Sequence, residues 1–411
     1  MRILIATFWH LPHAGGVSTH VYNLRRELDR LGHEVDLFAH HPDMEKYYIA
    51  NTGRSLEKAK VKGLIYEKVS EYFEKELPHV DRWIMMREIE RYSYEVAAST
   101  FDLGKYDLIH TQDIISTRAM WRIKPKHVPL IATIHGCLAT EYLISGEVKG
   151  RDTLPFKYAT TEEILGATSS DHTIVTTRWL KDLYVNDFSI PSERLQFIPN
   201  GMDIDHFLST VGDQPNMERR EGKLVIACPA RLDPVKGHKC LFEALKMLKH
   251  ERDDWVCWLI GDGDLREELE QLCDRLDLTD QIKFLGSRTD VSTLLAQADL
   301  VVLPSLQDNQ PFSIMEAQVS GKPIIASDAG GIPEMVEDRK TGLIFQAGQS
   351  RELFQLLELV LRDGALREEL GRVSKEWSMV QWSMKKMMEQ TLSAYQKVVN
   401  NRGVGNEIQQ K

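Results

Sequence analysis

The fold is decided by residues 3–39, which read ILIATFWHLPHAGGVSTHVYNLRRELDRLGHEVDLFA. Residues 3–7 form an apolar run that ends in a threonine, as expected for a strand buried on both faces. After a loop that ends in Gly15-Gly16, apolar residues recur at steps of four, three, four and three, which is the spacing of one helix face. Residues 35–39 form the next apolar run. The stretch therefore predicts a β-loop-α-β unit, the opening of a doubly wound parallel sheet.

The same alternation of short apolar runs and helical patterns continues along the first half of the chain. Further strands are predicted at residues 107–110, 129–134, 172–176 and 195–198. Residues 41–105 interrupt this rhythm with a long, charged and aromatic-rich stretch that is mostly helical in pattern. We expect it to form an insertion at the edge of the first domain, with its aromatic side chains packed between helices. These aromatic residues are Tyr66, Tyr72, Phe73, Trp83 and Tyr92.

A second α/β series follows a stretch rich in turn residues at 209–222, which is the predicted linker. Its predicted strands are residues 224–229, 256–260, 282–285, 300–303, 323–326 and 343–345, and residues 351–400 form a helical tail. The sequence thus predicts a first domain over 1–208 and a second over 223–381, with a last helix over about 382–411.

Composition and charge exclude several classes of protein. The chain has 411 residues and a net charge of −10 that is spread evenly over both halves, so it lacks the basic stripe of a nucleic-acid-binding protein. Its five cysteines are widely spaced without a Cys-x-x-Cys pair, which argues against a disulfide framework or a zinc site. The first apolar run is too short for a signal peptide, and no stretch approaches the length that spans a bilayer. We expect a soluble, cytoplasmic protein.

Three loops that follow predicted strands carry candidate ligand-binding residues. Gly15-Gly16 fits either a tight turn or an anion site at a helix N-terminus, and it is not the Gly-x-Gly-x-x-Gly of a nicotinamide dehydrogenase. Arg231 and Lys236 follow the first strand of the second domain, where ligands bind in open α/β sheets, so they favour a phosphate site over a solvated loop. Gly261-Asp-Gly263 either admits a nucleotide base or only makes the turn.

A fourth segment, Pro304 to Glu316, combines two acids with the start of a helix. Asp308 is predicted on the loop and Glu316 one or two turns into the helix. The backbone N–H groups of Phe312 and Ser313 are expected at the helix N-terminus, where they suit phosphate oxygens. Each acid alone fits a cap or a surface charge, but the pair at this position indicates a binding site.

Polar residues also end a strand of the first domain. His110, Gln112 and Asp113 are candidates for contact with a second substrate, with a plain structural role of equal weight. A basic cluster surrounds one tryptophan and is either a solvated helix face or a surface for an anionic membrane. Its members are Arg118, Trp121, Arg122, Lys124, Lys126 and His127.

Taken in order, these motifs resemble those of the retaining glycosyltransferases of GT-B fold, in the "glycosyltransferase group 1" family (family 4). The resemblance extends over essentially the whole chain. It is carried by Gly15-Gly16, Thr133–Gly136, Ile198–Asp203, Ala230–Gly237, Gly261–Gly263, Asp308–Glu316, Gly330–Glu334 and Gly342–Phe345. It implies two doubly wound Rossmann-like domains that face each other across a cleft, with the C-terminal helix crossing back to the first domain.

The resemblance also implies roles for named residues. Arg231 and Lys236 would hold the diphosphate of a nucleotide sugar, Glu316 the ribose hydroxyls and Asp308 the sugar hydroxyls, with His135 reaching the sugar from the first domain. Thus His135, Asp308, Arg231 and Lys236 are the implied catalytic residues. The implied donor-binding residues are Gly15, Gly16, Asn200, Arg231, Lys236, Gly261, Gly263, Phe312, Ser313 and Glu316. Acceptor contacts would come from His110, Gln112 and Asp113.

One departure from the family pattern concerns the first acid. The family has Glu-Gly-Phe-Gly where this chain has Asp308 followed by Asn309-Gln310-Pro311, so the eight-residue spacing to Glu316 is kept with a shorter side chain. The resemblance implies transfer of a hexose-type sugar from a UDP-sugar with retention of configuration, without metal or cofactor. The identity of the sugar stays open.

Two other activities remain as alternatives: a nucleotide-sugar epimerase of the same fold and a non-catalytic nucleotide-sugar-binding protein. The acceptor is a sugar, a glycan, a lipid-linked molecule or another small molecule. A peripheral contact with the inner face of a membrane is left open, as is the oligomeric state.

Overall fold

The computed structural model describes residues 1–13, 15–212 and 222–408, with only the backbone described for 401–408. The chain forms two compact units, one of Met1–Pro199 with Lys385–Lys411 and the other of Asn200–Met384. Each unit is built around a sheet with a parallel core, which confirms the prediction of two Rossmann-like α/β domains.

The first unit contains an eight-stranded sheet in the order β4-β3-β2-β1-β5-β6-β7-β8. Its strands are β1 (Arg2–His10), β2 (Glu34–His40), β3 (Lys46–Ile49), β4 (Ser55–Glu57), β5 (Leu108–Thr111), β6 (Leu130–Ile134), β7 (His172–Val175) and β8 (Leu195–Phe197). All neighbours are parallel except β3 and β4, which extend the edge in antiparallel fashion. The predicted edge insertion therefore begins with two strands that its charged sequence did not indicate.

Helices cover the sheet of the first unit. They are α1 (Gly16–Arg30), α2 (Lys58–Glu76), α3 (Arg82–Ser99), α4 (Ile114–Ile123), α5 (Leu138–Ser145), α6 (Leu154–Ser169) and α7 (Arg178–Asn186). Helix α1 buries Val21, Leu24 and Leu28 completely, on the face that the sequence spacing predicted. This amphipathic packing fixes the helix against the sheet and holds its N-terminus just beyond β1.

The second unit contains a six-stranded parallel sheet in the order β11-β10-β9-β12-β13-β14. Its strands are β9 (Leu224–Pro229), β10 (Trp255–Ile260), β11 (Ile282–Phe284), β12 (Leu300–Leu303), β13 (Ile324–Ser327) and β14 (Leu343–Phe345). Its helices are α8 (Ile204–Ser209), α9 (His238–Glu251), α10 (Arg266–Arg275), α11 (Val291–Gln297), α12 (Phe312–Val319), α13 (Ser350–Arg362) and α14 (Gly364–Gln381). Nearly every strand residue is buried, as the continuous apolar runs predicted.

The division between the units falls between Pro199 and Asn200, ahead of the predicted linker. The reason is local, because the backbone N–H of Met202 donates to the carbonyl of Trp382, 3.0 Å away within the second unit. The linker itself was predicted at 209–222, and its residues 213–221 lie outside the described residues.

The last helix, α15 (Met384–Ile408), belongs to the first unit from Lys385 onward. Its Tyr395 is fully buried, and the tyrosine hydroxyl lies 2.7 Å from Nδ1 of His110 on β5. The predicted return of the C-terminal helix to the first domain is therefore confirmed.

All five cysteines lie within the described residues, where they are buried and form no disulfide. Over the described ranges, no helix is both long enough and apolar enough to cross a membrane.

Candidate functional site

The strand orders place two candidate sites, one in each unit. In the second unit, β9 has β10 on one side and β12 on the other, so the chain reverses its direction of growth between β9 and β12. In the first unit the same reversal lies between β1 and β5. Ligands of open α/β sheets bind beyond the carboxyl ends of the strands at such points. The loops that follow these four strands carry most of the sequence-predicted site residues.

In the second unit, glycines bring the loops after β9 and β10 into backbone contact. A Cβ atom on Gly261 would lie 2.1 Å from the carbonyl oxygen of Ala230, and one on Gly263 would lie 2.5 Å from that of Leu232. The Leu232 N–H donates to the carbonyl of Asp262 at 3.0 Å. Of the two interpretations of Gly261-Asp-Gly263, this geometry supports the tight turn, because the glycines are needed for loop packing.

The loop after β12 is held in the same way from both sides. Gly237 has φ +69°, and a Cβ there would lie 1.9 Å from the carbonyl oxygen of Pro304. Gly330 has φ +61°, and a Cβ there would lie 1.9 Å from the carbonyl oxygen of Asp308. The same oxygen accepts the N–H of Gly331 at 3.0 Å. These contacts fix the backbone of Asp308 next to the loop that carries Lys236.

The charged side chains of these two loops meet. The Lys236 ammonium lies 2.6 Å from Oδ2 of Asp308, which also accepts the Ser305 hydroxyl at 3.1 Å. Arg231 pairs with Asp233 at 2.9 Å and is half exposed. The structure therefore brings Lys236 and Asp308 together and adds Ser305, which lies two residues after the end of β12, while Arg231 lies on the same loop as Lys236 and pairs with Asp233.

Glu316 lies in the second turn of α12, which begins at Phe312 as predicted. No described hydrogen bond reaches its carboxyl group, and burial raises the pKa of that group to about 7. The N-cap of α12 is Pro311, whose side chain offers no hydrogen bond. The N–H groups of Phe312 and Ser313 belong to the first turn, where a helix provides no internal acceptor. The helix start thus presents unpaired donors beside a carboxyl group that is about half ionised at neutral pH.

The departure from the family pattern at 309–311 has a structural consequence. Oε1 of Gln310 accepts the backbone N–H of Asn200 at 2.8 Å. Gln310 and Asn200 are both buried, and the side-chain oxygen Oδ1 of Asn200 has no donor among the described residues. Gln310 thus anchors the first residue of the second unit, a contact that the sequence did not reveal.

In the first unit, His135 follows β6 and lies within a polar cluster. Its Nε2 is 3.0 Å from Oε1 of Gln112, and its ring packs edge-on against His20 at 4.7 Å. Burial and the neighbouring histidines hold the pKa of His135 well below its usual value, so the ring is neutral. The amide Nε2 of Gln112 is buried without an acceptor in the described part of the chain. Gly15 and Gly16 form the N-cap and first residue of α1, again without a side-chain cap.

The other two residues predicted to bind the acceptor substrate, His110 and Asp113, form hydrogen bonds within the first unit. His110 has both ring nitrogens within 2.7 Å of hydroxyls, those of Tyr395 and Thr133, and burial lowers its pKa to about 3. Asp113 is the N-cap of α4 and accepts backbone N–H groups of Ser116 at 2.7 Å and Phe8 at 2.8 Å. Their contact with an acceptor stays a prediction, and the structure gives them an architectural role.

The two arginines of the basic cluster around Trp121 are paired with carboxylates. Arg118 pairs with Glu88 and Glu162, and Arg122 pairs with Glu95. Trp121 itself is about half exposed.

Over the described residues, no group of three or more histidine, cysteine or carboxylate side chains is arranged to hold a metal ion.

Comparison with protein families gives two matches that follow each other along the chain. Residues 14–206 match the profile of "Glycosyltransferase Family 4", and residues 213–377 match that of "Glycosyl transferases group 1". The chain is 24% identical over 420 aligned residues to the MMP α-(1→4)-mannosyltransferase of Mycolicibacterium hassiacum, with 97% of this chain and 98% of that protein covered.

Solved structures show the same fold. Sucrose-phosphate synthase of Thermosynechococcus elongatus matches with a TM-score of 0.77 at 20% identity, covering 98% of this chain and 100% of that one. The HepE protein of Anabaena in complex with UDP-glucose matches with a TM-score of 0.64 at 20% identity, covering 96% and 100%. These likenesses confirm the GT-B fold. The two family matches show that the chain contains a family 4 glycosyltransferase domain over residues 14–206, followed by a group 1 glycosyltransferase domain over residues 213–377.

Proposed function

We propose that the chain transfers a hexose-type sugar from a UDP-sugar to an acceptor hydroxyl, with retention of configuration and without a metal ion. One observation carries this proposal: at the switch point of the second unit, the loop after β9, which holds Arg231 and Lys236, pairs through Lys236 with Asp308 on the loop that leads from β12 to α12. Cations, unpaired N–H groups and carboxylates at one edge provide complementary contacts for a diphosphate, a ribose and a sugar.

The diphosphate is the most strongly charged part of the donor, and its charge grows as the glycosidic bond breaks. Arg231 and Lys236 supply cations, and the N–H groups of Phe312 and Ser313 supply donors at the positive end of a helix. Fixed groups of this kind stabilise developing charge without reorganisation, which is the electrostatic role that a metal fills in other transferases. We therefore propose that no metal or other cofactor is needed.

We assign the ribose hydroxyls to Glu316. Its carboxyl group has no described hydrogen-bond partner and a pKa of about 7, so hydroxyl donors from a ligand would stabilise its ionised form. HepE is a GT-B neighbour whose crystal structure contains UDP-glucose, which supports uracil as the base of the donor and a hexose as the transferred sugar. The mannosyltransferase relative likewise transfers a hexose, as its name states.

In the proposed reaction, the bond between the anomeric carbon and the phosphate oxygen breaks while the acceptor oxygen bonds to the same face of that carbon. The acceptor proton passes to a phosphate oxygen of the departing UDP. We assign contact with the sugar hydroxyls to Asp308, and we keep His135, whose ring is neutral, as the proposed catalytic residue of the first unit. Of the three residues proposed to bind the acceptor substrate, Gln112 has the most support. Its amide Nε2 is buried and donates no hydrogen bond to any described residue.

The acceptor, the membrane and the compartment belong to the proposal as well. We propose a sugar, glycan or lipid-linked acceptor and a cytoplasmic location. A lipid-linked acceptor would bring the chain to the inner face of a membrane, and the exposed Trp121 is available for that contact.

The first test is a thermal-shift panel of nucleotide sugars with the full chain. We expect UDP and one UDP-hexose to raise the unfolding temperature, and equal shifts with GDP-, ADP- and UDP-sugars would contradict the assignment of the base. Incubation of the stabilising donor alone, followed by sugar analysis, separates this proposal from an epimerase, because a transferase leaves the sugar unchanged.

Once an acceptor is found, the anomeric coupling constant of the product by NMR decides between retention and inversion. Activity in excess EDTA should equal that in buffer. Loss of activity in EDTA with recovery on adding Mg²⁺ or Mn²⁺ would overturn the metal-independent mechanism.

A further inference from the structure

A large cavity lies in the first unit, away from the residues assigned above. It has a volume of about 760 Å³, is open to solvent, and is lined by α2, α3, α4 and α6 with the connection between α2 and α3. Such a volume falls within the range of about 300–1,000 Å³ that is typical of small-molecule sites. Contiguous apolar surface that is open to solvent marks binding sites in soluble proteins, so the lining of this cavity is the feature that indicates a ligand.

The wall of the cavity is mostly apolar. The lining residues without charge are Ile65, Val69, Tyr72, Phe73, Leu77, Val80, Ile84, Tyr92, Leu154, Tyr158 and Thr161. Val61 is the one buried side chain of helix α2. Ile65, Val69 and Phe73 follow Val61 at steps of four, so they lie on the same face of the helix, and each is only partly buried. That face lines the cavity instead of packing into a core. Tyr72, Leu77 and Leu154 are each more than a third exposed. Tyr72 and Phe73, which were predicted to pack between helices, line the cavity.

The charges around the cavity are distributed unequally. At its floor, Arg118 pairs with Glu88 and Glu162, and the Tyr158 hydroxyl donates to Glu88 at 2.6 Å, so these groups satisfy each other. The other two charged lining residues are Lys68 and Lys157, both exposed. The nearest described carboxylate to Lys68 is that of Glu71 at 3.7 Å, on the same helix and itself exposed. Lys157 has no described carboxylate within 4.0 Å.

We propose that this cavity binds the hydrocarbon chain of an anionic amphiphile, with the chain against the apolar wall of α2 and the anionic head at Lys68 and Lys157. The apolar lining favours a hydrocarbon, and the two exposed ammonium groups favour a phosphate or carboxylate. The charged groups at the floor, Arg118, Glu88 and Glu162, pair with one another, so they offer no unpaired charge to a polar solute. The proposal goes beyond the assigned donor site and does not depend on it. The ligand comes either from a free lipid, such as a lipid-linked acceptor, or from the membrane itself.

The test titrates dodecyl phosphate into the full chain by calorimetry, below its micellar concentration. We expect saturable binding, no binding of inorganic phosphate at the same concentration, and weaker binding of neutral dodecyl maltoside. Val69→Trp fills the cavity and should weaken dodecyl phosphate binding at least about tenfold. Leu64→Trp places the same side chain on an exposed position of α2 outside the lining and should leave the affinity unchanged.

A second pair of variants tests the head group. Lys157→Gln should weaken dodecyl phosphate binding but leave dodecyl maltoside binding unchanged, whereas Lys60→Gln, a change at an exposed lysine of α2 outside the lining, should alter neither. Thermal unfolding and UDP binding, measured on each variant, show that the fold and the donor site are intact. Loss of UDP binding by the unmodified chain would count against the donor assignment and would leave this proposal standing.

Flotation with vesicles identifies the source of the ligand. Retention on phosphatidylglycerol vesicles, absent on phosphatidylcholine vesicles and removed by Val69→Trp, would assign the cavity to a membrane lipid. Binding of dodecyl phosphate without vesicle retention would assign it to a free amphiphile. The proposal is overturned if dodecyl phosphate fails to bind, which is also the result expected if the cavity takes a helix of a partner protein. Equal losses in Val69→Trp and Leu64→Trp would overturn it too.

Discussion

Replacement of Glu316 by Gln should make the unliganded chain more stable and weaken its binding of UDP. Burial raises the pKa of this carboxyl group from 4.5 to about 7. A shift of that size corresponds to a cost of about 3 kcal/mol when the group is ionised in the folded chain. The sign follows from the raised pKa: the cost is absent below pH 4.5, grows between pH 4.5 and 7, and is complete above pH 7. Gln has nearly the same shape and no charge, so it removes this cost.

The same shift sets the pH dependence of ligand binding. If ribose hydroxyls donate to the Glu316 carboxylate, binding returns its pKa towards 4.5 and releases a proton between pH 4.5 and 7. The affinity for UDP should then be about tenfold lower at pH 6 than at pH 8 from this group alone. In Glu316→Gln that part of the pH dependence disappears, and only the titration of the UDP phosphates remains.

Two assays measure these effects on the same samples. Thermal unfolding at pH 5 and pH 8 should show a gain in stability for Glu316→Gln that is larger at pH 8. Calorimetry of UDP binding in two buffers of different ionisation enthalpy should show proton release by the wild type and less by the variant. A variant that binds UDP with wild-type affinity and the wild-type pH profile would refute the assignment of Glu316 to the ribose, even if its stability rose as expected.

Four further changes test the donor site and the fold. Arg231→Ala should weaken UDP binding by about 1.5–3 kcal/mol in calorimetry through loss of a charge-assisted contact, whereas Arg252→Ala, which breaks a similar pair with a neighbouring aspartate in the same unit, should not. Gly330→Ala should abolish UDP binding because its Cβ would overlap the Asp308 carbonyl, while Gly348→Ala, at φ +81° with no atom nearer than 3.8 Å, should keep it. Tyr395→Phe should destabilise the first unit by about 1 kcal/mol, and deletion of residues 385–411 should make that unit sensitive to limited proteolysis. Proteolytic resistance equal to that of the full chain would contradict the role of α15.

The architecture followed from the sequence because buried parallel strands leave a strong signal. Continuous apolar runs of four to six residues predicted β9, β10, β12 and β13 almost at their observed bounds. Strands β3 and β4 escaped prediction. β3 is only four residues long and buries two of them, Tyr47 and Ile49. β4 is the edge strand, with exposed first and last residues around the partly buried Leu56. A strand that pairs at an edge needs little apolar surface, so its sequence resembles that of a charged loop.

The sequence indicated on which loops and helices the candidate site residues lie, but it indicated few of their contacts. Spacing and position after a strand gave Arg231, Lys236 and Glu316 as candidates, and their roles stay predictions. Neither signal shows which loop each glycine packs against, because that depends on the strand order. The pairing of Gln310 with Asn200 was hidden for the same reason, since the two residues are far apart in sequence and meet only through tertiary structure.

The pairing of Lys236 with Asp308 suggests how the donor phosphates and the sugar are recognised together. The ammonium of Lys236 lies 2.6 Å from Oδ2 of Asp308, the carboxylate that we assign to the sugar. A diphosphate that takes up Lys236 would release Asp308 to accept sugar hydroxyls, so that phosphate binding prepares the sugar contact. UDP must also compete with Asp308 for the cation, and Asp308→Asn removes that competitor. We therefore expect the variant to bind UDP more tightly than the wild type but to transfer the sugar more slowly. Weaker UDP binding by Asp308→Asn in calorimetry would show that the carboxylate positions Lys236 for the phosphates instead of competing with them.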